Sequence, residues 1–179
     1  MLPDESGYMV TPVVRRTYAP RGQTPIQKAW DRRDRISAIS AITVSPKRKR
    51  LGLYADLLSD NRNAEGEDIV RFLQMLRRHI PGPLTIIWDR GSIHDRSSDV
   101  QGFLVKHPEI VTERYPAYAP ELNPDEQVWA YTKYARMANF APRSTSDLRV
   151  RLDHELRRLR RRPDLLASFI RHTHLPLLE

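Results

Sequence analysis

Three acidic side chains stand in this sequence where carboxylates could act together in one reaction. Asp89 follows the apolar run at positions 84–88, Glu126 lies just after Asn123-Pro124, and Asp4 is near the start of the chain. Carboxylates that share a site raise one another's pKa, and hard divalent cations such as Mg²⁺ or Mn²⁺ relieve that repulsion through oxygen ligands. Two such ions about 3.5–4 Å apart can activate a water or a 3′-hydroxyl for attack on a phosphodiester.

Each acid also has a simpler explanation, and the residues alone leave both open. Asp89 could merely begin a turn before Gly91. Asn123 as N-cap, Pro124 at the first helical position and Glu126 two residues further on resemble an ordinary capping arrangement. The functional interpretation depends on position, because ligands of open α/β sheets bind beyond the carboxyl ends of strands.

The composition favours a nucleic-acid partner without requiring one. The 179 residues include 30 Lys and Arg against 22 Asp and Glu, giving a net charge of +8 and a pI near 10.1. Such a balance suits polyanions, although a plain basic surface explains it equally well. The absence of cysteine excludes disulfide frameworks and thiolate zinc sites. No apolar run approaches the roughly 18 residues of a membrane span, and no signal-peptide pattern opens the chain, so a cytoplasmic location is predicted.

Basic residues occur at two places that could meet a phosphate backbone. Lys133 lies two helical turns beyond Glu126 on the same face, where it could reach DNA or be a plain surface lysine. A dense arginine cluster near the C-terminus exceeds what a helix end needs, and DNA-backbone binding is predicted for its five members, Arg157, Arg158, Arg160, Arg161 and Arg162.

The periodicities predict strands and helices that could carry these groups. Alternating apolar residues predict a β-hairpin over residues 36–58, with a charged turn at Lys47–Arg50 that is either solvated or a phosphate contact. Strands are predicted at 84–89 and 110–114. Helices are predicted at 66–79, 97–106, 124–137, from 144 or 145 to 162, and at 164–172. This order indicates an α/β architecture with an antiparallel hairpin and a parallel crossover.

The first residues predict an incomplete strand. Asp4-Glu5-Ser6-Gly7 has the composition of a strand end and its turn, yet only three residues precede Asp4. Strands usually have about five or six residues. Most of this strand would therefore be missing or supplied by an upstream segment.

Three stretches of the chain resemble a known family. The runs TIIWDRGSIH, RYPAYAPELNPDEQVWAYTK and PDESGYMVTPVVRRTYAPRGQTP are similar to the DDE transposases of bacterial insertion sequences, in the mariner-like superfamily. The resemblance covers roughly residues 3–139. Its most specific part is Leu122-Asn123-Pro124 followed by Glu126 and Trp129, and the spacing from Asp89 to Glu126 is also typical of that family.

The resemblance implies a fold and a chemistry. It implies a ribonuclease H-like mixed sheet flanked by helices, with Asp4, Asp89 and Glu126 as the catalytic acids. These would hold two Mg²⁺ or Mn²⁺ ions and so cleave and join DNA strands. His94 and Asn123 would position the acids without binding metal themselves. The helix pattern itself predicts Trp129 as a core residue on the face opposite Glu126, and the resemblance marks it as a motif position. The chain departs from the family at Arg90, where an asparagine is common.

The resemblance also implies partners and a division of the chain. Residues 1–143 would be the catalytic domain, with its first strand truncated, and residues 144–179 a basic helical appendage. The partners would be the DNA of element ends and target, a second copy of the chain, and an upstream helix-turn-helix segment, at the bacterial nucleoid. Three alternatives stay open: an inactive DNA-binding remnant, a half-enzyme that needs an upstream reading frame, and a nuclease that hydrolyses but does not join.

Overall fold

Five strands form the centre of the protein. The computed structural model describes residues 1–29, 33–46 and 50–177. Strands β1 (Leu2–Met9), β2 (Arg35–Val44) and β3 (Leu51–Asp60) form an antiparallel ladder in that order. Strands β4 (Leu84–Trp88) and β5 (Ile110–Arg114) form a parallel pair.

Met1 joins the two ladders at the start of β1. Its amino group donates to the Thr85 carbonyl at 2.8 Å, and the Ile87 N–H donates to the Met1 carbonyl at 2.8 Å. This alternation around one residue is the pattern of parallel strands. The strands therefore follow one another in the order β3, β2, β1, β4, β5, which brings β1 beside β4.

Helices cover both faces of the sheet. Their bounds are α1 (Gly66–His79), the single turn α2 (Ser92–Asp95), α3 (Ser98–Lys106), α4 (Pro124–Ala130), α5 (Thr145–Arg160) and α6 (Pro163–His172). A π-helical turn, Tyr131–Arg136, continues α4, and a 3₁₀ turn, Pro120–Leu122, precedes it. Within the described ranges, no helix is long and apolar enough to cross a membrane.

Strand β2 explains why helices pack on both sides. Alternate side chains of a strand point to opposite faces, and β2 is apolar on both. Ile36 and Ile42 belong to a buried cluster shared with α4, α5 and α6, whereas Ile39 lies in a second cluster with α1, α3 and β4. Apolar residues on both faces are typical of a central strand flanked by two helical layers.

The structure confirms most of the predicted elements. Helix 66–79 and strand 110–114 have the predicted bounds, Ser97 caps α3 through Val100 N–H, and Ser144 caps α5. The predicted helix over 124–137 is α-helical only to Ala130 and then π-helical. In the predicted charged turn, residues 47–49 lie outside the described residues.

The prediction that Asp4 ends a strand is wrong. Asp4 is the third residue of the eight-residue strand β1, which pairs with β2 from Leu2 to Met9. Ser6 and Gly7, predicted as a turn, lie opposite Ala38 and Ser37. Backbone hydrogen bonds from the buried partner strand keep this polar stretch extended, and they fix Asp4 within the sheet.

The two C-terminal helices share the core of the sheet. Leu148, Leu152 and Leu156 of α5 and Leu166 and Ile170 of α6 are buried in the same cluster as Leu2, Ile36 and Leu53. The division predicted at residues 143 and 144 stays a prediction, and it would have to cut through this shared cluster.

Candidate active site

The three predicted acids line one pocket. It has a volume of about 520 Å³, and its lining includes Asp4 from β1, Asp89 directly after β4 and Glu126 from the first turn of α4. Because β1 and β4 are neighbours in the sheet, Asp4 and Asp89 both border this pocket. The rest of the wall comes from the segment between β5 and α4, which contributes residues 115–120.

His94 links Asp89 to a second acid of β1. Its Nδ1 donates to Asp89 Oδ1 at 2.8 Å, and its Nε2 donates to Glu5 Oε1 at 3.0 Å. The ring is buried and stacks on Trp88 with centroids 4.5 Å apart and planes inclined by 9°. With both ring nitrogens donating to carboxylates, the imidazole is in its charged form.

Gly91 completes the fixation of Asp89. Its N–H donates to the same Asp89 Oδ1 at 2.8 Å, so this one oxygen interacts with both Gly91 and His94. A Cβ at position 91 would lie 2.9 Å from Oδ1. A larger residue at position 91 would therefore displace the Asp89 carboxylate from this position.

Burial and hydrogen bonding act in opposite directions on the pKa values of Asp89 and His94. The hydrogen bond from His94 lowers the pKa of Asp89. Burial alone would lower the pKa of His94, but the bonds to Asp89 and Glu5 outweigh burial and raise it to about 9. Asp89 is therefore an ionised carboxylate at neutral pH, held by an imidazolium.

Asp4 lies in a less favourable environment for its charge. Burial, and then the negative charges of Glu126 and Glu5, raise the pKa of Asp4 to about 8. Trp129 Nε1 donates to Asp4 Oδ2 at 3.1 Å and fixes its orientation. Trp129 is buried as predicted, but its indole faces the acids and not the side opposite Glu126, in accord with the three-residue spacing that puts both on one helix face.

The start of α4 presents Glu126 to the pocket. Asn123 Oδ1 accepts from the Asp125 N–H at 3.1 Å and so caps the helix. The Asn123 N–H donates to the Pro120 carbonyl at 2.9 Å, so the carboxylate of Glu126 is not needed to complete a capping box. Glu126 is exposed and lines the pocket instead.

Asp125, the residue before Glu126, anchors α4 to the sheet. It is fully buried, and its Oδ2 accepts from the hydroxyl of Ser40 on β2. Burial raises the pKa of Asp125 well above its ordinary value, and the nearby acids add to this. This hydrogen bond joins α4, which carries Glu126, to β2, and Ser40 lies opposite Asp4 in the register of β1 and β2.

Lys133 lies beside β1. Its Nζ donates to Ser6 Oγ at 2.6 Å and lies 5.1 Å from the centre of the Tyr8 ring. Burial lowers the pKa of Lys133, while the charges of Glu126 and Asp4 oppose the decrease. A contact of Lys133 with DNA stays a prediction.

The five predicted DNA-binding arginines are exposed at the end of α5, near edge strand β3. Arg157 pairs with Asp153 at 2.8 Å, Arg162 pairs with Asp164 at 2.7 Å, and the Arg160 guanidinium lies 5.2 Å from the Tyr54 ring. A groove of about 650 Å³ between α5 and β3 is lined by Arg157, Arg160 and Arg161. Its lining shares no described residue with the acidic pocket.

The donor set of the pocket suits a hard divalent cation. Carboxylate oxygens are the ligands that Mg²⁺ and Mn²⁺ prefer, and the mutual repulsion recorded in the raised pKa of Asp4 is what a cation would relieve. Over the described ranges, no three His, Asp or Glu side chains converge closely enough to hold one ion. The side chains of Asp4, Asp89 and Glu126 would have to turn toward the centre of the pocket to bind the same ion.

A profile of the family described as DDE superfamily endonuclease matches residues 1–149, a stretch that contains all three acids. The chain belongs to the DDE superfamily of endonucleases. Among curated proteins, no sequence matches this DDE endonuclease.

Solved structures show that this DDE endonuclease has the ribonuclease H-like fold of transposase catalytic domains. A Mos1 transposase paired-end complex with left transposon end is 17% identical, with a TM-score of 0.62 over 96% of this chain and 54% of that chain. A Mos1 mariner paired end complex with Mn is 19% identical, with a TM-score of 0.64 over 96% and 50%. The catalytic domain of Mos1 mariner transposase is 16% identical, with a TM-score of 0.59 over 96% and 74%. The DDE endonuclease thus spans about half the length of the chains in the two complexes.

Two contacts of the site were not predicted from the sequence, the His94–Glu5 bond and the Ser40–Asp125 bond. Glu5 adjoins Asp4 in the sequence, and strand alternation sends the two side chains to opposite faces, Asp4 toward α4 and Glu5 toward His94. The bond between Ser40 and Asp125 joins residues 85 positions apart. The residues adjacent to Ser40 and Asp125 in the sequence give no indication of this bond.

Proposed function

We propose that this chain is the catalytic domain of a DNA transposase, which cleaves and joins DNA strands by metal-dependent, in-line phosphoryl transfer. The observation that carries the proposal is that Asp4, Asp89 and Glu126, from three separate elements within the matched region, line one pocket. A basic body around this acidic pocket suits a polyanionic substrate.

Each residue of the site has a role in this proposal. Asp4, Asp89 and Glu126 would hold the divalent metal, as two Mg²⁺ or Mn²⁺ ions. When bound, such ions supply Lewis acidity for attack by water or a 3′-hydroxyl and for departure of the leaving oxygen. His94 keeps Asp89 ionised and oriented, and Trp129 orients Asp4. Asn123 fixes the helix start that presents Glu126.

DNA contacts lie on two surfaces in this proposal. Lys133 borders β1 next to the acids, where a cation can hold a phosphate near the scissile bond. Arg157, Arg158, Arg160, Arg161 and Arg162 are exposed at the end of α5 and bind backbone phosphates further along the duplex. The substrate is the DNA of element ends and target.

The main rival is an inactive DNA-binding remnant. An incomplete first strand that left Asp4 unfixed would favour it. Asp4 instead lies in a paired strand and accepts a bond from Trp129, so the rival lacks a supporting observation. A half-enzyme that needs an upstream reading frame differs from the main proposal only in which segments must be added for activity.

The proposed assembly follows the same reasoning. Two similar structures are complexes described as paired-end, and the chain spans about half of theirs. We propose a homodimer on DNA at the bacterial nucleoid and an upstream helix-turn-helix segment that recognises element ends. Light scattering of the chain with and without DNA ends measures the first of these, and activity after adding the upstream segment measures the second.

Asp89→Asn tests the proposed function directly. The substitution keeps the shape and the bond to His94 but removes the charge, so nicking of supercoiled DNA and joining of pre-cut ends in Mn²⁺ should fall at least a hundredfold. Glu113→Gln, which removes an exposed acid of β5 outside the pocket, serves as the matched control. If Asp89→Asn keeps cutting at the wild-type rate, Asp89 is not a catalytic acid. Hydrolysis without joining would favour a nuclease.

Metal binding can be measured separately from catalysis. A ligand at 100 times its Kd stabilises a protein by about 2.7 kcal/mol, which corresponds to roughly 5–10 °C in Tm for a domain of this size. Mn²⁺ should raise the Tm of the wild type by this amount and leave that of Asp89→Asn nearly unchanged. An equal shift in both proteins would place the ion elsewhere.

A further inference from the structure

Arg90 brings a positive charge into the acidic pocket. It follows Asp89 directly at the end of β4, and it lines the pocket together with Asp4, Asp89 and Glu126. Of the described residues in that lining, Arg90 alone is basic. The family commonly has an asparagine at this position, so the charge distinguishes this chain from its relatives.

The backbone around Arg90 is fixed on both sides. The Gly91 N–H donates to Asp89 Oδ1 at 2.8 Å and so closes a turn around Arg90. The Gly91 carbonyl accepts from the backbone N–H groups of His94 at 3.0 Å and Asp95 at 3.1 Å, at the start of α2. The side chain of Arg90 is exposed, so a fixed segment of backbone presents its guanidinium to solvent beside the acids.

The acids of the pocket are held by donors other than Arg90. Asp89 interacts with His94, and Asp4 accepts from Trp129. Within the described ranges, the guanidinium of Arg90 makes no hydrogen bond or ion pair, although carboxylates line the same pocket. Its donors are therefore available to an anion that comes from outside the protein.

We propose that Arg90 binds a backbone phosphate of DNA at the mouth of the acidic pocket. The inference rests on the proposed function and adds a substrate-binding residue to it. A guanidinium is always charged in a protein, and its planar fork of donors matches two phosphate oxygens. It can therefore offset the repulsion between the carboxylates of the pocket and an approaching phosphate, which an uncharged asparagine at this position cannot do.

The affinity for DNA and its dependence on salt test this contact. A short fluorescent duplex is titrated with the protein in Ca²⁺, which takes oxygen ligands, at NaCl concentrations from about 50 to 200 mM. Arg90→Gln should bind about tenfold more weakly than the wild type, as expected for the loss of one charged contact. The slope of log K against log salt should become shallower by about 0.9, because one phosphate contact is lost.

Two further variants control for charge and for geometry. Arg96→Gln removes the same charge from an exposed arginine that does not line the pocket, and it should stay close to the wild type in affinity and slope. Arg90→Lys keeps the charge but not the fork, so it should keep the slope and lose part of the affinity. Both arginines are exposed, so the Tm of each variant should stay close to that of the wild type.

A crosslink measures proximity to DNA independently of affinity. The sequence contains no cysteine, so Arg90→Cys carries the only thiol of the chain. A photoreactive group attached to this thiol should crosslink to the duplex, whereas the same group on Arg96→Cys should not.

The outcomes separate this contact from the proposed function. If Arg90→Gln and Arg96→Gln have the same affinity and slope while the wild type binds the duplex, Arg90 makes no phosphate contact and the proposed function stands. A photoreactive group at position 90 that crosslinks no better than one at position 96 overturns the contact in the same way. If the wild type does not bind the duplex even at low salt, the proposed function fails together with the inference.

Discussion

At the scale of single residues, the pair of bonds made by His94 has the clearest consequence. Asp89 and Glu5 share this one buried imidazolium, so its removal leaves Asp89 without its main restraint. Residues that orient metal ligands typically contribute 10–100-fold to metal affinity or activity. His94→Ala should therefore raise the Mn²⁺ concentration for half-maximal DNA cleavage by about that factor.

A metal titration of cleavage distinguishes this role from a general loss of structure. His94→Ala should recover part of its rate at high Mn²⁺, whereas a misfolded variant would stay inactive at every concentration. His172→Ala, which removes an exposed histidine at the end of α6, is the control. An unchanged Mn²⁺ midpoint in His94→Ala would show that Asp89 is oriented by other groups.

The raised pKa of Asp4 predicts how stability depends on pH without metal. Burial and the neighbouring acids raise its pKa to about 8 in the folded protein, against an ordinary value of 3.8. The folded state therefore binds this proton more tightly than the unfolded state, and stability falls as pH rises from about 4 to about 8. Asp4→Asn removes the buried charge, so in EDTA the variant should have a higher Tm than the wild type at pH 8.

Melting curves in EDTA at several pH values measure this difference. The advantage of Asp4→Asn should vanish well below pH 3.8, where the wild-type carboxyl is protonated in both the folded and the unfolded state. Glu113→Gln, an exposed acid of β5, should follow the wild type throughout. A pH-independent difference between Asp4→Asn and the wild type would show that the pKa of Asp4 is not raised in the folded protein.

At the scale of elements, Glu155 connects α5 to the π-helical turn. It is 3% exposed, and its carboxylate receives Arg136 at 2.9 Å and Arg151 at 3.0 Å. Burial would raise its pKa, but these arginines outweigh burial and hold the pKa of Glu155 below 4.5. Removing the acid takes away the carboxylate that both partly exposed arginines share, so Glu155→Ala should lower the free energy of unfolding by about 1–3 kcal/mol.

The effect of Glu155→Ala should depend on pH in a definite direction. A carboxylate with a lowered pKa contributes stability that is present above its unfolded pKa near 4.5 and is lost as pH falls through the folded value. The difference between wild type and variant in urea melts should therefore be full at pH 7 and shrink below pH 4.5. A constant difference at both pH values would mean that packing, and not charge, carries the contribution.

Local patterns predicted the elements better than the contacts between them. The helix at residues 66–79 was predictable because its apolar residues recur at helical spacing and Pro81-Gly82-Pro83 follow it. Strand β5 was predictable as a short strand over residues 110–114. The strand around Asp4 was not, because its polar residues are held extended by β2 and not by their own preference. Asp4 and Asp89 were predictable as candidates, but the Glu5–His94 bond depends on which strands are neighbours.

At the scale of the whole molecule, the two core clusters decide how the chain unfolds. The cluster that supports β1 also contains Leu148, Leu152 and Leu156 of α5 and Phe169 of α6. Burying a leucine stabilises a fold by roughly 1.5–3 kcal/mol, and small domains have a total stability of about 5–15 kcal/mol. Removing both helices would therefore lower the free energy of unfolding by about as much as the whole domain has.

Truncation after residue 143 should thus abolish cooperative unfolding. The shortened chain exposes the apolar side of β1 and β2, including Ile36 and Ile42, and should bind a hydrophobic dye and lack a sharp thermal transition. The full chain should melt in one step by both circular dichroism and tryptophan fluorescence. If residues 1–143 melt cooperatively and retain the Mn²⁺-dependent rise in Tm, the C-terminal helices are a separate appendage. The pairing of β1 with β2 would then be enough to hold Asp4 in place without α5 and α6.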